Sequence, residues 1–176
     1  MIVRPIHPAA RFYRFHAPRY AALPLSGAGA ALHGGRFNRP GIHALYLSTN
    51  VPTAHAEYAQ DELLTPPGTL ATYQVTLGKV VDLSAGYLAG TWGPEWEDWD
   101  CDWRALSLAA HIEPPSWVLG DIARAAGAGG ILFPSLKLID PENVNLALFT
   151  NALGVGDALS VHDPKGQLPK NQESWK

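Results

Sequence analysis

Hydrophobic and polar positions alternate in some stretches of this chain and recur at helical spacing in others. "RFYRFH" (11–16) alternates apolar and basic residues and predicts a short strand. "HALYLS" (43–48) predicts a second, with Leu45 and Leu47 on one face and Tyr46 and Ser48 on the other. The next run, "TNVPTAHAEYAQDELL", opens with a capping candidate, Thr49 or Asn50, and carries Pro52 in its first turn; it predicts a helix to about Leu64, stopped by "PPG" (66–68). Residues 69–78 and 79–84 predict two β-rich runs divided near Gly78. In 94–111, Trp96, Trp99, Trp103, Leu106 and Ala110 fall at helical spacing, and acids crowd the N-terminal half, where a helix dipole favours them. That pattern predicts a helix. A further helix is expected over 116–130 with a glycine stop, and strands at 131–135, 145–149 and 159–163. Residues 17–35, with two prolines and many glycines, predict a long loop. The elements lack regular βαβ alternation, so the expected class is α+β. The tail from about 164 is polar and is expected to lie over the surface of a single domain spanning 1–176.

Composition narrows the function classes. At 176 residues the chain suits one domain with a real core. The net charge is −3, with no block of lysines or arginines, which argues against direct nucleic-acid binding. Cys101 is the only cysteine, so neither a disulfide framework nor a cysteine metal site is expected. "MIVRPIHPAARF" lacks the apolar run of a signal peptide, and no stretch is long and apolar enough to span a membrane. A soluble, cytoplasmic protein is the expectation.

Candidate chemistry starts at "GGRFNRPG" (34–41). Glycines around a lone arginine suit either a plain turn or a close approach to a phosphate or carboxylate. Tyr46 lies mid-strand and Glu57 on the following helix, in a stripe with Thr53, Ala54, Asp61 and Leu64. Three short consecutive elements bring Arg36, Tyr46 and Glu57 within reach of one cleft, although a glutamate on a helix is ordinarily solvated. Ser135 in "GGILFPSL" emerges at a strand end, without the G-x-S-x-G of a hydrolase elbow; a Pro-Ser turn is the plain alternative. The seven histidines show no metal-binding spacing, so no metal is expected. Trp92, Trp96, Trp99 and Trp103 form an aromatic stripe that suits a core or a partner interface more often than a stacked ligand.

Together these pieces resemble the RES-domain family, the toxin half of a bacterial toxin–antitoxin module named for its arginine, glutamate and serine. The resemblance runs from "FYRFH" through "SGAGAALHGGRFNRPGIHALYLSTNVPTAHAEY" and "LGD" to "ILFPS" and "NVNLALF". Arg36, Tyr46 and Glu57 stand 10 and 11 residues apart, as in the family pattern; Phe37 replaces a common tryptophan. The resemblance implies an ADP-ribosyltransferase-like split β-core with surrounding helices around an NAD⁺ cleft, NAD⁺ being consumed as substrate. It implies catalytic roles for Arg36, Tyr46, Glu57 and Ser135, and NAD⁺-binding roles for Arg14, Arg36, Tyr46, Ser135 and Asn145. The reaction implied is cleavage at the nicotinamide–ribose bond with transfer of ADP-ribose to a protein, to phosphate or to water. The partner implied is an antitoxin with a helix-turn-helix domain that occludes the cleft, in a toxin–antitoxin assembly with a possible homodimer. The Trp-rich segment 92–103 is a candidate docking surface for an acceptor protein. The rival class is a non-enzymatic binding module in which Arg36 and Glu57 form a structural ion pair.

Overall fold

A computed structural model describes residues 1–60 and 62–173. Among the described residues, six strands and three α-helices follow one another: β1 (Val3–His16), α1 (Ala28–His33), β2 (Ala44–Ser48), α2 (Val51–Ala59), β3 (Thr69–Asp82), α3 (Pro115–Ala125), β4 (Gly130–Pro134), β5 (Val144–Phe149) and β6 (Ala158–Val161). The sheet order is β1-β2-β5-β4-β3-β6, and a further β1–β3 pairing joins the first five strands into a ring. All pairings are antiparallel except β3–β4. The expected α+β class with a split β-core is what the chain forms.

Period-two alternation explains why the central strands read as nearly unbroken apolar runs: both of their faces are buried. Leu45, Leu47, Leu132, Leu146 and Leu148 join Phe12, Tyr73, Val75 and Leu77 in one cluster bounded by the ring strands. Their neighbours Ile131, Phe133, Ala147 and Phe149 face the other way, onto α3 and the tryptophan segment. Tyr46 packs against that second cluster.

The ring is incomplete at one place, and that place makes the cleft. β1 and β2 meet through a single pair, Tyr13 with Ser48. Beyond it, Arg14, Phe15 and His16 pair only with β3, while Ala44–Leu47 of β2 pair only with β5. The facing edges of β1 and β2 therefore part.

Several expected elements differ from the observed ones for physical reasons. β1 begins at Val3 rather than Arg11, because its proline-bearing first half sits where the β1–β3 register shifts. The two runs expected over 69–84 are one strand, and the irregularity near Gly78 survives as a bulge between the pairs Arg4–Val80 and Ile6–Leu77. The expected loop 17–35 holds a 3₁₀ turn, Pro18–Tyr20, and helix α1. Tertiary bonds support α1 despite its glycine: Asn38 Nδ2 donates to Ala30 O and Gly41 N to Ala31 O. α2 has the expected cap, Asn50 Oδ1 accepting from Thr53 N at 2.8 Å, but ends at Ala59, where Gln60 takes a φ of 54°. Of its expected polar stripe, Asp61 lies outside the described residues, as do Ser174–Lys176 of the tail.

The helix expected over 94–111 is absent. The segment forms a 3₁₀ turn, Pro94–Trp96, and a π-helical turn, Ala105–Ala109. Its carbonyls and amides are diverted: Trp99 O and Cys101 O accept from Arg36, and Ala105 N donates to Asp102 Oδ1. The tryptophans are core. Trp92, Trp96, Trp99 and Trp103 are at most 8% exposed, so their rings are not offered to an acceptor protein.

Candidate functional site

A cleft of about 500 Å³ opens where β1 and β2 part, within the range of small-molecule sites. Arg14 and Phe15 of β1, Tyr46 and Ser48 of β2, Glu57 of α2, Arg36 and Asn145 line it. The structure thus brings five of the six candidate residues to the wall, and it ties the sixth, Ser135, to Glu57. Trp103, read from the sequence as part of an aromatic stripe, also lines it, as do Arg104, Leu108, Leu136 and Lys137, which the sequence pattern did not single out.

The carboxylate is held by two donors on one oxygen. Ser135 Oγ donates to Glu57 Oε1 at 2.8 Å, and Asn145 Nδ2 donates to the same atom at 2.7 Å. Ser135 Oγ itself accepts from Lys137 N and Leu138 N, which leaves its own proton for Glu57. Asn145 Oδ1 accepts from Ser48 Oγ at 2.7 Å, which turns the amide so that its N–H₂ faces the carboxylate. Strand pairing builds this row: Ser48 lies opposite Asn145, and Asn145 opposite Phe133, two residues before Ser135. Glu57 Oε2 has no protein donor among the described residues.

The arginine sits on a tight turn. Gly35 N donates to Asn38 O at 2.9 Å, closing Arg36 and Phe37 between them. Gly34 enters the turn with a φ of +78°, a value that favours glycine. Gly35 is small for another reason: a Cβ there would stand 2.5 Å from Tyr46 Oη. Tyr46 Oη accepts from Phe37 N at 2.9 Å and donates to Asn38 Oδ1 at 2.8 Å. Burial pushes the Tyr46 phenol well up from its ordinary value, so it keeps the proton it donates. The hydroxyl is thus committed to the turn, and only the ring remains to meet a ligand. Arg36 Nη1 donates to Cys101 O at 2.9 Å and Trp99 O at 3.2 Å, which aims the guanidinium from the tryptophan segment.

Charge in the cleft is one-sided. Among the described residues, Arg14, Arg36, Arg104 and Lys137 line it with a single carboxylate, Glu57, on a chain of net charge −3. Burial lowers the pKa of Arg14 and Arg36, yet guanidinium keeps its proton. The Arg14 guanidinium makes no hydrogen bond or ion pair to protein among the described residues. No ion pair joins Arg36 to Glu57 among the described residues, so the structural pair expected of a non-enzymatic module is not formed.

Behind Arg14 lies His16, 7% exposed, whose Nε2 is 2.5 Å from Tyr73 Oη. Tyr73 Oη donates to Pro24 O, so His16 Nε2–H donates to Tyr73. Burial first, and the Arg14 charge second, hold the imidazole pKa at about 4. The folded state therefore favours the neutral ring, while an unfolded histidine titrates near 6.5. The stability this confers is whole above about pH 6.5 and is lost as pH falls toward about 4, on the order of 3 kcal/mol in all. Urea unfolding at pH 7 and pH 5 should show wild type losing more stability than His16→Gln over that interval; parallel losses would assign the acid sensitivity elsewhere.

The profile of the RES domain matches residues 11–171. The chain belongs to the RES-domain family. The crystal structure of the M. tuberculosis MbcT–MbcA toxin–antitoxin complex aligns with a TM-score of 0.58 at 19% identity, over 90% of this chain and 84% of the matched chain. At that identity the likeness shows a shared fold. The chain matches no curated protein by sequence. Arg36 and Glu57 line the cleft, and Ser135 stands beside it, bonded to Glu57.

Proposed function

We propose that the chain is the toxin of a toxin–antitoxin pair and that it cleaves NAD⁺ at the nicotinamide–ribose bond, passing ADP-ribose to a protein, phosphate or water. The observation that carries this reading is the Glu57 carboxylate, anchored through Oε1 and without a protein donor at Oε2 among the described residues, in a cleft whose wall also carries Arg14, Arg36 and Arg104. A dinucleotide diphosphate supplies the negative charge that such a wall would neutralise.

The chemistry asked of these residues is modest. The bond from ribose C1′ to the nicotinamide nitrogen breaks, and its electron pair leaves with nicotinamide. Positive charge develops on the sugar as in glycoside cleavage. A fixed carboxylate stabilises that charge, and Glu57 is held for this by Ser135 and Asn145. An acceptor oxygen or nitrogen then forms the new bond to C1′ and releases its proton. Arg14 and Arg36 bind phosphate oxygens, and the Tyr46 ring packs beside the base while its hydroxyl holds the turn. Leu108 and Leu136, exposed and lining the cleft, offer an apolar rim to an occluding antitoxin segment. The M. tuberculosis complex supports the partner class; an antitoxin carrying a helix-turn-helix domain would supply the DNA binding that this chain's charge disfavours.

The test is a mass-resolved assay of the purified chain with NAD⁺, with and without phosphate, and with cell lysate. Phosphate-dependent loss yielding ADP-ribose phosphate identifies a phosphorylase; free ADP-ribose, a glycohydrolase; a labelled protein with little free turnover, a transferase. No loss of NAD⁺ in any arm overturns the enzyme reading.

A further inference from the structure

We propose that Asn38 is a positioning residue for Arg36, acting through the Tyr46 hydroxyl. Asn38 is 2% exposed and does not line the cleft, so it does not meet the ligand itself. Every polar atom of its side chain is nevertheless committed. Its Oδ1 accepts the Tyr46 proton at 2.8 Å. Its Nδ2 donates to Ala30 O and Ile42 O at 2.9 Å each, and to Arg39 O at 3.3 Å. One side chain thus links α1, the arginine turn, the segment leading into β2, and β2 itself.

The geometry gives these bonds a consequence for Arg36. Asn38 O closes the turn on Gly35 N, and the Tyr46 hydroxyl that Asn38 accepts from is the acceptor for Phe37 N. Arg36 lies between two residues fixed in this way. Among the described residues, its guanidinium has only the Trp99 and Cys101 carbonyls to hold it at the far end. A long side chain presented from a loose turn samples many positions, and restraint of its base lowers the cost of immobilising it on an anion. The assignment rests on the proposed reading, in which Arg36 holds an anionic ligand.

The test uses the full chain and inorganic pyrophosphate as probe, by titration calorimetry well below the melting temperature. Wild type, Asn38→Ala, Tyr46→Phe and the double variant are compared with Asp157→Ala. Asp157 caps Gly78 N and Gly154 N and does not line the cleft, so it reports general destabilisation. Asn38→Ala and Tyr46→Phe should each weaken pyrophosphate binding by about tenfold, the loss expected of one positioning hydrogen bond. The double variant should bind no worse than the weaker single one, since both act on one turn. Asp157→Ala should bind like wild type.

Wild-type affinity in Asn38→Ala overturns the proposal. So do multiplying losses in the double variant, or an equal loss in Asp157→Ala. If Asn38→Ala does not fold, Tyr46→Phe decides alone, and unchanged affinity there overturns it. Wild type that binds no pyrophosphate also overturns it, whereas the NAD⁺ assay on the same sample reports separately on the proposed reaction.

Discussion

Glu57→Gln is expected to cut NAD⁺ consumption by about 10²–10³-fold at saturating NAD⁺ while the fold is retained. The substitution is nearly isosteric. Its amide oxygen can replace Oε1 and accept from both Ser135 Oγ and Asn145 Nδ2, so the buried network stays satisfied. Its nitrogen takes the place of Oε2, where no protein donor stands to repel it among the described residues. What is lost is the negative charge beside the ribose. Glu57→Ala is a poorer experiment, because it strands the buried Asn145 donor and the Ser135 hydroxyl, and an unmet buried polar group costs about 1–3 kcal/mol of stability. A melting temperature close to wild type with turnover lost would place the effect in chemistry. Glu57→Gln turning over NAD⁺ at the wild-type rate would remove Glu57 from the proposed mechanism.

How much of this site was legible in the chain depends on what each residue does. Arg36, Tyr46 and Glu57 were readable because they sit on three consecutive short elements at spacings a family pattern shares. Ser135 was readable as a strand-end position and Asn145 only through the family resemblance, but their bonds to Glu57 depend on the β2–β5–β4 register, which no local pattern encodes. Ser48 was assigned a face and no role; its bond to Asn145 follows from the same register. Asn38 stood in plain view in "GGRFN", yet its four side-chain bonds reach α1, β2 and the segment between them, and those distances exist only in the fold. The tryptophan segment misled in one respect. Helical spacing was real, but tertiary demand for the Trp99 and Cys101 carbonyls won over local helix formation. The glycines next to Arg36 were read as bringing it near a ligand; one sets a left-handed φ, and the other makes room for the Tyr46 hydroxyl.

A large effect on stability is expected at Gly120, which the sequence shows only as the middle of "LGD". Gly120 lies in α3, where alanine would ordinarily gain up to about 1 kcal/mol in helix propensity. Here a Cβ would stand 1.9 Å from Phe37 O and 2.7 Å from Phe37 C, both backbone atoms. Neither side has an easy retreat. Phe37 is fully buried, its N–H is held by Tyr46 Oη, and its ring packs edge-on to Phe133 with centroids 5.0 Å apart. α3 is tied to the same turn by Trp117 Nε1 donating to Gly35 O at 2.7 Å and by the Arg39–Asp121 ion pair. Overpacking costs about 1–3 kcal/mol when side chains can shift, and backbone against backbone belongs at the upper end. The cost exceeds the propensity gain. Gly120→Ala should therefore lower stability by about 2 kcal/mol, or the melting temperature by roughly 4–8 °C for a chain of this size. It should also weaken pyrophosphate binding, because the carbonyl it displaces belongs to the residue after Arg36. Gly29→Ala is the matched control for stability: it is helical, and nothing lies within 4 Å of its Cβ, so it should be neutral or stabilising. Equal melting temperatures for the two variants would mean that α3 is free to move away from the arginine turn, and that the turn is not braced from that side.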